Sequence, residues 1–433
     1  MEVKPGYKQT EAGVFPEDWE EQHLSALVTT GPRNGYSGRS SKGAHGTPTL
    51  SLGATTSGSL VLNDDTVKHL EETIDPNSDL FLQSGDVLVQ RSNTLDLVGT
   101  AAVFDGPSGV YVYPDLMMRM RFREDATGHW FWRYANSANG RRFFMAVAAG
   151  SSGSMPKISG DKLRRMLVPV PPLPEQRAIA AALSDVDALI ASLDRLIAKK
   201  RDLKQAAMQQ LLTGKTRLPG FHGEWEVKRL GDYVTFLRHG VNSRAELLPE
   251  GRVKYLHYGD VHACKGVYLS PDSLPCLPDA KVASLDRLRD GDLIFADASE
   301  DVAGVSKSVE MRGVESIEVV SGLHTIAARF DKEVLADDFK GFLQFCPPFT
   351  TQLRRLAAGT KVYATNRSHV ASVEMRLPTV PEQTAIAAVL SDMDAELSAL
   401  EARCDKTRDL KAAMMQELLT GKTRLVPAGA AHA

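Results

Sequence analysis

Two stretches of the chain carry apolar residues at alternating steps of four and three. In the first they are Ile179, Leu183, Val186, Ile190, Leu193 and Ile197; in the second, Ile386, Leu390, Met393, Leu397, Leu400 and Cys404. A period near 3.5 residues puts each set on one face of a helix. Asp185, Asp187, Asp194 and Lys200 fall off that face. Pro174 and Pro381 suit a first helical turn, where a missing N–H costs nothing. Gly214 and Gly421 stand where a left-handed C-terminal cap belongs. These signals predict long helices over 173–214 and 380–421. About 39 residues at roughly 1.5 Å each make a rod on the order of 58 Å. An amphipathic rod must bury its stripe. The sustained spacing favours pairing with its own duplicate over packing on a neighbouring globular domain.

The two segments are near copies. Residues 174–218 and 381–425 align without a gap, and about 29 of 45 positions are identical. The repeat reaches past the helices: Thr10, Phe15, Trp19 and Leu24 recur as Thr216, Phe221, Trp225 and Leu230. The order is therefore reader, helix, reader, helix. The expected domains are 1–172, the helix 173–214, 215–379, the helix 380–421 and a disordered tail over 422–433. If the helices pack antiparallel, the end of the second returns beside the first reader, and the fold has a pseudo-two-fold repeat. The readers predict mixed α/β structure, an α+β class. Gly85–Val89 answers Gly291–Phe295, and Asp115–Phe122 answers Gly322–Phe330, as short buried strands. Val168–Pro172 and Arg376–Pro378 read as stiff extended hinges before each helix.

Composition narrows the class. With 433 residues, 43% hydrophobic and 24% charged, the chain fits two or three ordinary globular domains. No apolar run is long enough for a membrane span, and Met1–Gly6 lacks a signal-peptide core. Cys264, Cys276, Cys346 and Cys404 show no C-x-x-C spacing, which points to a reducing cytoplasm rather than a zinc or disulfide frame. The net charge of −3 is unusual for a self-sufficient DNA binder. Either the chain leaves nucleic acid alone or partners supply much of the positive clamp.

Several motifs fall to structural readings. Gly214-Lys215-Thr216 and Gly421-Lys422-Thr423 follow helices, and Gln209 and Gln416 stand where a phosphate loop needs glycine. Pro271-Asp272 with Asp279-Ala280-Lys281 resembles a minimal Mg²⁺ nuclease pattern, without an equivalent in the first reader. Cys346-Pro347-Pro348-Phe349 has the core of an amino-methyltransferase motif, but cysteine replaces the polar first residue and no cofactor loop precedes it, so a strand-breaking turn is expected. The histidines show no ligand spacing, and His257, Asp260 and His262 are the nearest approach to a cluster.

The polar, basic loops carry more. In the first reader they hold Arg33, Asn34, Arg39, Lys42, Arg91, Ser92, Asn93 and Lys157. In the second they hold Arg238, Asn242, Arg244, Lys307, Lys361, Tyr363, Asn366 and Arg367, with Ser299-Glu300-Asp301. Arg, Asn, Gln and Ser are the side chains that read base edges. These sets fall at corresponding places and differ in residues, as readers of two sequences should.

Leu173-Pro174-Glu175-Gln176-Arg177-Ala178-Ile179 and Val380-Pro381-Glu382-Gln383-Thr384-Ala385-Ile386 each follow a proline hinge, and Leu211–Gly214 and Leu418–Gly421 close the helices. With the Phe15/Trp19 and Phe221/Trp225 openings, the whole chain resembles the specificity subunit of type I restriction-modification systems. The resemblance implies a non-catalytic chain: two target-recognition domains separated by an antiparallel helix pair, each reading half of a split site in double-stranded DNA. It implies modification (methyltransferase) subunits, usually two, carrying S-adenosylmethionine, and possible restriction subunits using ATP and Mg²⁺, with no cofactor or metal on this chain. A protein-only helical adaptor, or a nuclease using Asp272, Asp279 and Lys281, is the alternative.

Overall fold

A computed structural model of the chain describes residues 4–41, 45–148, 155–357, 359 and 362–427. Its fold is mixed α/β with two long helices, α1 (Leu173–Leu211) and α2 (Val380–Leu418). The chain divides into two compact units. One comprises Met1–Leu193 with Arg403–Ala433, the other Asp194–Ala402. The boundary does not fall where the sequence order suggested. Each long helix is shared, so each unit holds one reader, one part of α1 and one part of α2.

In the first unit, β1 (Val28–Asn34), β2 (Val87–Gln90), β3 (Ala101–Val103) and β4 (Met117–Phe122) form an antiparallel sheet in the order β1-β4-β2-β3. The central β2 is buried throughout and β4 over its first four residues, with Arg119 and Arg121 standing among the methionines of β4. Trp130, Phe131 and Phe144 from the following helices fill one side, together with Phe15 and Trp19. In the second unit, β5 (Val234–Phe236), β6 (Tyr268–Leu269), β7 (Leu293–Ala296), β8 (Ser308–Met311) and β9 (Thr325–Phe330) form a sheet in the order β5-β9-β7-β8-β6. The expected strand pairs thus exist as β2 with β7 and β4 with β9, each shorter at its start. Gly85 and Gly291 precede β2 and β7 with φ of 91° and 82°, turn conformations that suit glycine. His324 holds a left-handed φ of 57°, so Gly322–His324 is a turn rather than the start of β9.

The proline hinges are also strands. Leu167–Val170 pairs antiparallel with Glu20–His23, and Glu374–Leu377 pairs with Glu226–Arg229. Proline is tolerated because each ribbon has only two strands, so Pro169 needs no second ladder. Each ribbon ties the reader's entry to its exit just before a long helix begins.

The helix stripes point inward. Ile179, Leu183, Leu193, Ile197, Ile386, Leu390, Leu397 and Cys404 are buried, and Val186, Ile190, Met393 and Leu400 are half-buried. Both packing partners considered from the sequence are used. Ile179 and Leu183 join the first reader's core with Leu418 and Leu419, while Ile386 and Leu390 join the second reader's with Leu211 and Leu212. Within the second unit Lys200 Nζ meets Glu396 at 2.6 Å and Arg201 Nη2 meets Glu401 at 2.5 Å, and Lys204 pairs with Asp394. Lys200 and Lys204 meet residues 396 and 394, and Leu211 and Leu212 lie in the core with Ile386 and Leu390, so the helices run antiparallel there.

Candidate functional site

The residues common to both copies build a clasp in each unit. Glu175 and Glu382, in the first turns of α1 and α2, are fully buried. A buried carboxylate needs charge-assisted partners. Glu175 accepts from Arg424 Nε at 2.6 Å and Nη2 at 2.7 Å, and from Trp19 Nε1 at 3.0 Å. Arg424 also reaches Asp18 at 2.7 Å. Glu382 accepts from Arg217 Nη2 at 2.5 Å and from its Nε. Trp225, the counterpart of Trp19, stacks near Arg217 at 5.7 Å but leaves its buried Nε1 without a partner. Gln176 and Gln383 donate to Pro171 and Pro378 at 2.7 and 2.9 Å, fixing the hinge to the helix start. Gly214 and Gly421, with φ of 70° and 68°, end the helices in the left-handed conformation expected of them. The Gly-Lys-Thr-Arg segments therefore deliver an arginine to the start of the other helix. The segment expected as a tail is structured at least through Arg424, and residues 428–433 lie outside the described residues.

The candidate recognition residues fall into groups. In the first reader Arg33 and Asn34 end β1, exposed. Arg33 pairs with Asp79, which Arg119 Nη2 and Arg121 Nη1 also reach at 3.1 and 3.2 Å. The Arg119 hydrogen bond holds the Asp79 carboxyl below the usual range. Arg121 makes a second pair with buried Asp86 at 2.8 Å. Arg91, Ser92 and Asn93 meet Lys157 through a bridge between Ser92 and Lys157. Ser92 Oγ is buried without a partner, and Asn93 Nδ2 donates to Gln90 Oε1 at 2.7 Å. Arg39 is exposed before a short strand, Ser40–Ser41. Lys42 and Lys361 lie outside the described residues.

In the second reader Arg238 pairs with Asp286 at 3.1 Å, and Arg367 donates to the neighbouring Leu237 O at 2.7 Å. Asn242 donates to Glu246 at 2.9 Å and Arg244 pairs with Asp260 at 2.5 Å. Tyr363 pairs across a short ribbon with Ser299, joining the 299–301 and 363–367 loops. Two candidates have local structural tasks. Asn366 caps the helix Arg367–Ser372 by accepting His369 N at 2.9 Å. Lys307 is half-buried and donates to Cys264 O at 2.8 Å, and burial pushes its pKa down. Lys307 is among the expected DNA-binding residues; in the folded chain its ammonium is engaged by the Cys264 carbonyl.

The remaining motifs separate. Asp272 accepts from Ser270 at 2.6 Å, Asp279 faces Arg252 at 3.6 Å, and Lys281 meets Glu246 at 2.6 Å. No group of three metal-ligating side chains occurs among the described residues. Cys346 begins the helix Pro347–Leu356 rather than a strand-breaking turn, and burial pushes its thiol up to about 11. His257 and Asp260 form a capping box. Sequence reasoning missed a cavity of about 510 Å³ beside them, lined by Tyr258, His262, Ser299, Glu300, Asp301 and His324. Its residues come from separate segments, so no spacing in the chain announces it. The Asp79 and Asp286 pairs were missed for the same reason. The clasp was visible in principle, because Glu175/Arg424 and Glu382/Arg217 recur in both copies.

No helix among the described residues is long and apolar enough to cross a membrane. Residues 16–199 match the family of the type I restriction modification DNA specificity domain. The chain is 22% identical over 440 residues to the Methanocaldococcus jannaschii protein named "Putative type I restriction enzyme MjaX specificity subunit", covering 97% of each chain. In fold it resembles the type I restriction-modification S subunit of M. genitalium, with TM-score 0.56, 12% identity and coverage of 96% and 98%. It also resembles a chain from a structure of complex assembly and conformational transition in the type I R-M system, with TM-score 0.55, 17% identity and coverage of 94% and 99%. The chain is thus similar in sequence, over nearly its whole length, to a type I restriction enzyme specificity subunit, and in fold to solved chains of type I restriction-modification systems.

Proposed function

We propose that the chain reads a split site in double-stranded DNA, one half through each reader, and recruits modification subunits to it. The observation that carries this reading is the contrast within the duplication. The helix starts and the Leu-Leu-Thr-Gly-Lys-Thr-Arg-Leu ends repeat almost residue for residue and the stripes keep their apolar positions, while the loops around Asn93 and Glu300 diverge. A frame that repeats and loops that differ suit two readings held in one register. Joining two short readings makes the second effectively intramolecular, so two weak contacts act as one long specificity. Two modification subunits, carrying S-adenosylmethionine, complete the reading; restriction subunits would bring ATP and Mg²⁺. The net charge of −3 fits a chain whose partners supply part of the clamp on DNA in the cytoplasm.

The test is base-resolution sequencing of methylated sites in cells carrying this chain with its modification subunits. A motif in two parts, separated by a run of unspecified bases, is expected. A contiguous motif would remove the two-reader reading. Complex formation without sequence-dependent DNA binding would leave a protein-only adaptor.

A further inference from the structure

Each reader places one arginine at the same end of its edge strand, one register step apart: Arg33 stands opposite Arg119, whereas Leu237 N reaches Ala327 O and Arg238 follows it. Arg33 ends β1, and Arg238 stands two residues beyond the equivalent β5. β1 and β5 are the edge strands paired with β4 and β9. Each arginine is held by an aspartate from the turn ahead of the next central strand. Arg33 Nη1 pairs with Asp79, and Arg238 pairs with Asp286 through Nη2 at 3.1 Å, while its own backbone N–H reaches Asp286 at 2.8 Å. Behind each pair lies a second, matching one: Arg121 with Asp86 at 2.8 Å and Arg329 with Asp292 at 2.7 Å. The front arginines stay open to solvent, at 50% and 68% exposure.

The surroundings of the two arginines differ. Arg119 is buried against Asp79, whereas Ala327 occupies the matching strand position. The neighbouring loops hold Arg91, Ser92 and Asn93 in one reader and Ser299, Glu300 and Asp301 in the other. A contact that stays the same while its surroundings change cannot encode the difference between two half-sites. An arginine reading guanine at both places would force the same base into both halves. The phosphate backbone is the feature every DNA sequence offers at that place, and phosphate contacts set register and orientation. The geometry suits it. Each aspartate orients a guanidinium that has donors left over: Nε and Nη2 on Arg33, and Nη1 on Arg238.

We propose that Arg33 and Arg238 are paired phosphate-anchoring residues, one per reader, and that base discrimination lies in the divergent loops beside them. This rests on the DNA-reading function proposed above.

The experiment uses the full chain in complex with its modification subunits. The probe is a duplex carrying the split site found methylated with the unaltered chain. Binding is titrated between about 50 and 200 mM salt for the unaltered chain, Arg33→Gln, Arg238→Gln, Arg33→Lys and Arg238→Lys. Glutamine retains a hydrogen bond to the aspartate and so the local fold, which circular dichroism checks. Each glutamine variant should reduce the slope of log affinity against log salt by about 0.9, the value for one phosphate. The lysine variants should restore it, because lysine still serves phosphate as a point charge but cannot read a base edge bidentately like arginine. The methylated motif should stay the same in all four. An unchanged slope in the glutamine variants overturns the inference, and so does an altered base in the motif of a lysine variant. If the unaltered complex binds no sequence preferentially, the functional reading itself has failed, which is a separate result.

Discussion

Glu310 on β8 shows how one side chain ties local chemistry to stability. Its carboxylate is buried and accepts from Gly341 N at 2.8 Å and Asp338 N at 2.5 Å. Burial pushes its pKa up to about 7, against the counter-effect of Lys340 and those N–H donors. In the unfolded chain it would titrate near the ordinary 4.5. Between these values the folded chain holds a proton that the unfolded chain has released, so stability falls as pH rises from about 4.5 to about 7 and then levels. Glu310→Gln cannot titrate. Thermal melts at pH 5 and pH 8 should show the unaltered chain losing more stability across that window than the variant does. Equal losses would remove Glu310 as the cause. Asp79 and Asp286, whose pKa values are held low by arginines, act in the opposite sense at acid pH. For that reason the comparison with the variant, rather than the bare profile, reads Glu310.

At the scale of elements, each long helix is fastened at its start by an arginine that follows the other. The stripes were legible because a 3.5-residue period is a local property of the chain, and glycine caps and N1 prolines marked the ends. The clasp was less legible: Glu382 and Arg217 stand 165 positions apart. Arg217→Ala would leave the Glu382 carboxylate buried with no charged partner, a loss of about 3–5 kcal/mol by the usual cost of breaking a buried pair. Hydrogen exchange of the complete chain should quicken over the first turns of α2. Arg424→Ala should do less to the start of α1, since Glu175 retains the Trp19 N–H. Equal exchange in Arg217→Ala and the unaltered chain would show that apolar packing, through Ile386 and Leu390, holds the helix alone. The hinges are extended as expected, but their pairing was not legible, because extended backbone looks the same in sequence whether or not a second strand pairs with it.

For the whole molecule, the proposed gap between half-sites depends on helix length. A four-residue change near Lys199 should shift it. Antiparallel pairing adds a condition. Lys200 and Lys204 face Glu396 and Asp394, so a change in α1 alone breaks the register of those pairs. Four residues inserted after both Lys199 and Ala399 give both helices the same stutter of about one turn and lengthen the pair by about 6 Å. That is roughly two base pairs at about 3.4 Å each. Methylation sequencing should show a gap wider by about two with both half-sites intact. An unchanged gap would end the idea that the helices set the spacing.

The sequence by itself determined what is periodic or repeated: the two helices, their caps, the inward stripes and the equivalence of the readers. Hydrophobic period and backbone propensity act between near neighbours, so they are written along the chain. The tertiary structure decided which side chains are free and which are already engaged. Lys307 and Asn366 are engaged by the Cys264 carbonyl and the His369 N–H, while Arg33 and Arg238 stand at the same end of equivalent strands, each beside its own aspartate. Ion pairs and buried hydrogen bonds join groups far apart in the chain. Their partners exist only once the backbone has folded.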